Sequence, residues 1–103
     1  MEKFIKDGQV AVLYSPGYGA GWSTWAYENR EDMIFDVDIV KAILNKDVKL
    51  AKKIAERKYP EQYDGGIDAL VVGWVPQGEE FDIREYDGNE SLQIIGKSSF
   101  FVA

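Results

Sequence analysis

The stretch Gln9–Tyr14 has no polar side. Val10, Val12 and Tyr14 fall on one face of a strand, Ala11 and Leu13 on the other. A strand that is apolar on both faces has to be covered on both, so it predicts a central position in a layered domain. Lys6-Asp7-Gly8 ahead of it is turn chemistry.

The rest of the chain supplies what could cover that strand. Ser23 or Thr24 is placed to cap a short helical turn, and Met33-Ile34-Phe35 is apolar but too short to assign. Asp36 or Asp38 can cap a helix that carries Ile39, Val40, Ile43 and Leu44 as an apolar stripe. Asn45-Lys46-Asp47 predicts a break. A second helix then puts Val48, Leu50, Ala51, Ile54 and Ala55 inward and ends near Tyr59-Pro60, because the residue before proline disfavours helix. Four further strands are predicted: Ala69–Val75, Glu80–Tyr86, Ser91–Ile95 and Ser98–Val102, the last at an edge. Asp87-Gly88 between two of them is a hairpin signal. One strand, two helices and a run of strands predict an α+β fold. The expectation is a single small domain over 1–103, with a mostly antiparallel sheet of four to five strands and two helices on one face.

Composition narrows the chemistry. The chain has no cysteine and no histidine, which removes thiolate and imidazole chemistry and every Cys/His zinc site. No catalytic residue, metal or cofactor is predicted. The 18 acidic residues outnumber the 12 basic ones, giving a net charge of −6 and no basic stripe for a nucleic acid polymer. The cations that do cluster (Lys49, Lys52, Lys53, Arg57 and Lys58) have the spacing of a solvated helix face. No run reaches the ~18–20 apolar residues of a membrane helix, and Met1–Lys6 lacks a signal peptide's apolar core. A cytoplasmic protein without membrane partners is expected, and a homo-oligomer is compatible with a chain of this size.

Two segments are candidate binding elements. The first is Ser15-Pro16-Gly17-Tyr18-Gly19-Ala20-Gly21-Trp22-Ser23-Thr24-Trp25. It matches neither the dinucleotide fingerprint nor the P-loop pattern. Its bare amides, with the hydroxyls of Ser23 and Thr24, could cradle an anion, and Tyr18, Trp22 and Trp25 could stack on a base or sugar. The predicted ligand residues here are Gly17, Tyr18, Gly19, Ala20, Gly21, Trp22, Ser23, Thr24 and Trp25. The other reading makes Trp22 and Trp25 core residues and the glycines a tight turn. The second segment, Arg84–Ser91, adds Arg84 and Tyr86 on one strand face, Asp87 and Glu90 as acceptors for ligand hydroxyls, and Ser91 as a further ligand residue. An ordinary solvated hairpin explains it as well. The carboxylate pairs Asp36/Asp38, Glu79/Glu80 and Glu85/Asp87 read as surface charge or helix caps.

The glycine-tryptophan head, the Tyr63-x-Gly65-Gly66 loop and the block Val72-x-Trp74-Val75-Pro76-x-Gly78 through Glu85-Tyr86-Asp87-Gly88-x-Glu90-Ser91 carry a resemblance over almost the whole chain. The sequence resembles small proteins of tailed phages and prophages. By analogy of setting, the resemblance implies an anti-defence "sponge" that sequesters a nucleotide-type signal, such as a cyclic ADP-ribose isomer or a cyclic oligonucleotide, without catalysis. An acidic inhibitor of a host macromolecule is the alternative.

Overall fold

The computed structural model describes residues 2–17, 21–26, 28–60, 66–94 and 101–103. Strand β1 (Ile5–Lys6) turns through Asp7 and Gly8, both at positive φ, into β2 (Gln9–Tyr14). A short 3-10 turn, Ser23–Trp25, precedes three helices: α1 (Arg30–Phe35), α2 (Val37–Leu44) and α3 (Val48–Lys58). After a second 3-10 turn, Ile67–Ala69, come β3 (Val71–Pro76), β4 (Glu80–Tyr86), β5 (Asn89–Ile94) and β6 (Phe101–Val102).

The α+β class stands, and every strand pair is antiparallel. The single sheet is corrected to two. One has the order β1-β2-β3 and the other β5-β4-β6, with three strands each. Both faces of β2 are covered, as its sequence requires, but by different layers. Ala11 and Leu13 pack with Ile39, Val40, Ala51, Ile54 and Ala55 of the helices. Val10 and Val12 pack with Phe81, Ile83 and Phe101 of the second sheet. The domain is therefore helix layer, sheet, sheet.

Local chemistry sets the boundaries. Of the two candidate caps for α2, Asp36 is used: its Oδ1 accepts from Ile39 N at 3.0 Å. Asp47 caps α3 through Leu50 N at 3.1 Å. Neither Ser23 nor Thr24 caps the turn they belong to, which begins after Trp22 with no side-chain cap. The Met33-Ile34-Phe35 run is the buried half of α1. Leu50, expected inward, is exposed. The strand expected from Ala69 starts at Val71, and the last strand is confined to Phe101–Val102, at an edge as expected. Residues 95–100 lie outside the described residues.

Candidate functional site

The glycine segment folds around a side chain that belongs to the protein itself. Glu90, 1% exposed, is the second residue of β5, with its carboxylate turned into the segment. Its Oε1 accepts from Ser15 N at 2.9 Å. Its Oε2 accepts from Trp22 N at 2.7 Å, Thr24 N at 3.0 Å and Thr24 Oγ1 at 2.5 Å. The backbone ties the same two segments together. Gly21 N donates to Gly88 O at 2.7 Å, Glu90 N donates to Ser15 O at 3.0 Å, and Gly17 N donates to the Asn89 side chain at 2.8 Å. The described amides that the sequence offered to an external anion are thus largely engaged by the β4–β5 hairpin.

The aromatics divide. Trp22 is core: it is 1% exposed, donates through Nε1 to Met33 O at 3.0 Å and meets the Tyr59 ring edge-on. Trp25 is 40% exposed and lies over Gly21. A Cβ on Gly21 would fall 2.5 Å from the Trp25 ring, and its φ is +46°, so this glycine is required twice. Ser23 is buried and Thr24 half-buried. Tyr18, Gly19 and Ala20 lie outside the described residues. Arg84, Tyr86, Asp87 and Ser91 are exposed on the hairpin, with Asp87 and Gly88 both at positive φ as a tight turn requires. The structure therefore brings the two predicted segments together through Glu90, while burying Gly21, Trp22, Ser23 and Glu90 in the joint.

Two hollows open elsewhere, and no described residue of the 15–25 segment lines either. One, of about 240 Å3, is bounded by Lys6, Asp7, Gln9 and Trp74. The other is a cleft of about 350 Å3 lined by Glu2, Asp32, Phe35, Asp36, Val37, Asp38, Lys58 and Tyr59. It sits where the N-terminus of α2 meets the C-terminus of α3. The antiparallel helix pair brings residues 36 and 38 beside residues 58 and 59, twenty or more positions away.

Lys58 Nζ lies 3.1 Å from Asp36 Oδ2 and 2.9 Å from Asp38 Oδ2, and Tyr59 OH donates to Asp36 Oδ2 at 2.8 Å. The Lys58 hydrogen bond holds Asp38 below the usual carboxylate range. Burial pulls the Lys58 ammonium down, but its hydrogen bonds to Asp38 and Asp36 outweigh that and leave it raised. Burial, then the hydrogen bond to Asp36, pushes the Tyr59 hydroxyl well above its ordinary value. With Asp36 and Asp38 answered by Lys58, Glu2 and Asp32 leave the cleft acidic. Val37 and Tyr59, both half-buried, give it apolar walls, and Phe35 lies buried behind them. The Phe35 ring already carries an ammonium, that of Lys3, 4.7 Å from its centroid. Among the described residues, no three carboxylates are grouped to hold a metal ion.

The sequence reading missed this cleft as a site, although its pieces were visible. Asp36-x-Asp38 read as a helix cap, Lys58 as a solvated face and Tyr59-Pro60 as a helix end. Each reading is locally correct, and only the antiparallel pairing of α2 and α3 joins them.

The Tyr59 shift has a pH consequence. A hydroxyl whose folded value lies above its unfolded one contributes stability below the ordinary 10.0 and loses it as pH rises through the folded value. Lys58 acts in the same direction above 10.5. Tyr59→Phe should therefore cost about 1 kcal/mol at neutral pH, for the lost hydrogen bond. The gap to the parent should narrow above about pH 10. Urea midpoints measured at neutral pH and across the alkaline limb check both parts.

No family model matches the chain, and no solved structure matches it.

Proposed function

We propose that this is a non-catalytic binding protein whose acidic cleft docks a cationic side chain of a protein partner. The observation that carries the reading is the composition of the cleft: four carboxylates against one ammonium, over apolar walls. A lysine or arginine suits it, because its stem can lie on half-buried Val37 and Tyr59 while its charged head meets Glu2 and Asp32. A phosphorylated ligand does not suit it, because the local charge is repulsive. The cysteine-free chain supports a cytoplasmic setting for that partner. Among the described residues, no helix is long and apolar enough to cross a membrane.

The test is fluorescence anisotropy with a labelled oligolysine peptide. Binding should weaken with salt, and Glu2→Gln/Asp32→Asn should weaken it about tenfold, worth ~1.4 kcal/mol. Glu79→Lys, which changes net charge equally at a residue that does not line the cleft, should leave it within about twofold. Equal losses in both variants would reduce the effect to net charge and sink the cleft reading.

Sequestration of a nucleotide-type ligand is the second reading. It is favoured by exposed Trp25, Arg84, Tyr86, Asp87 and Ser91 around one hairpin. Calorimetry against cyclic ADP-ribose isomers and cyclic oligonucleotides tests it; heat that disappears in Arg84→Ala would support it, and silence across the panel would remove it.

A further inference from the structure

The charge of this chain is divided by layer. Seven basic and four acidic residues lie between Asp36 and Lys58, a net of +3, which leaves −9 for the remainder. The helix layer is thus a positive slab on a negative body. Its positive end is the turn between α2 and α3. Lys46, Lys49 and Lys53 stand at or beside it, none in an ion pair among the described residues, with the exposed side chains of Leu44 and Leu50 (44% and 45%) on the same turn. Lys49 and Lys53 stand one helical turn apart on the same exposed face of α3. The carboxylate at this turn, Asp47, is engaged in capping α3. The acidic cleft lies at the opposite end of the same helix pair, ~16 Å away along α3 by helix rise.

We infer that the partner of the acidic cleft is a second copy of this chain, which inserts a lysine of its α2–α3 turn while Leu44 and Leu50 cover the contact. This rests on the cleft reading proposed above and names its occupant. The two surfaces are opposite in sign, each has apolar area beside its charge, and both are present at equal concentration in every solution of the protein. Complementary patches of this kind steer encounter and fix register. Because the contact joins unlike surfaces, its repeated use closes a small ring or runs on as a chain.

Sedimentation of the full chain tests this. At about 20 mM salt the mass should rise with concentration above the 11.7 kDa monomer, and about 500 mM salt should return it there. Lys49→Gln/Lys53→Gln removes the turn, and Glu2→Gln/Asp32→Asn removes the cleft, so each variant alone should sediment as monomer. Mixed in equal amounts, they should form a dimer and stop at two, since one supplies only the cleft and the other only the turn. A parent that stays monomeric at low salt overturns the inference, as do variants that each associate like the parent. If that monomeric parent still binds oligolysine through the cleft, the self-association fails and the proposed function stands; if it binds none, both fail.

Discussion

Glu90→Ala should lower stability by about 3–5 kcal/mol, the largest loss expected from any exchange of a charged residue here. The side chain receives the amides of Ser15, Trp22 and Thr24 and the hydroxyl of Thr24. With the carboxylate gone, three backbone donors in a water-poor joint lose their acceptor. Each costs roughly 1–3 kcal/mol when left unpaired, less where water can enter the vacated space. At ~4–8 °C per kcal/mol for a domain near this size, the melting temperature should fall by about 12–40 °C. A protein of this length has only ~5–15 kcal/mol in total, so the variant would sit close to the edge of folding.

Glu90→Gln sharpens that expectation. It keeps the shape and one acceptor oxygen but turns an amide NH2 toward a position that now receives N–H donors. It should still cost more than ~1 kcal/mol, although almost no volume changes. Calorimetric melting of both variants settles the point. A loss below ~0.5 kcal/mol for Glu90→Ala would mean that the segment does not depend on its internal anion.

The two segments singled out in the sequence do meet. Main-chain donors do gather around an anion. What the sequence did not disclose is that the anion is residue 90 of the same chain. Bare amides carry no mark of their acceptor's origin, and Glu90 lies 66 residues or more from the groups it binds. The same limit hid the cleft, whose walls come from α1, α2 and the end of α3. Periodicity was a better guide where the contact is local. The doubly apolar β2, the two long amphipathic helices and the Asp87-Gly88 turn were all legible. The second sheet was not, because strand alternation tells which face is buried and not which sheet a strand joins. Phe81 and Ile83 point inward as their pattern requires, yet they meet the back of β2 and Phe35 of α1 rather than α2 and α3.

Trp22→Ala tests whether the glycine-tryptophan head is architecture. Its indole is wholly enclosed, packs with Leu13, Met33, Ile39 and Ile54 in one core cluster, and adds a hydrogen bond to Met33 O. Truncating a buried tryptophan costs about 3–5 kcal/mol, from lost transfer energy and the cavity left behind. Trp22→Phe should recover part of that: it keeps an aromatic edge for Tyr59 but gives up the ring volume and the Nε1 donor, leaving a deficit of about 1–2 kcal/mol. Denaturant midpoints should rank the parent above Trp22→Phe and Trp22→Phe above Trp22→Ala, with a common slope if unfolding stays two-state. Trp25→Ala provides the contrast. Its exposed ring covers Gly21 without closing the core, so its loss should stay near 1 kcal/mol. If Trp22→Ala melted like the parent while changing the response to an added ligand, the indole would belong to a binding surface, and the packing described for it would be wrong.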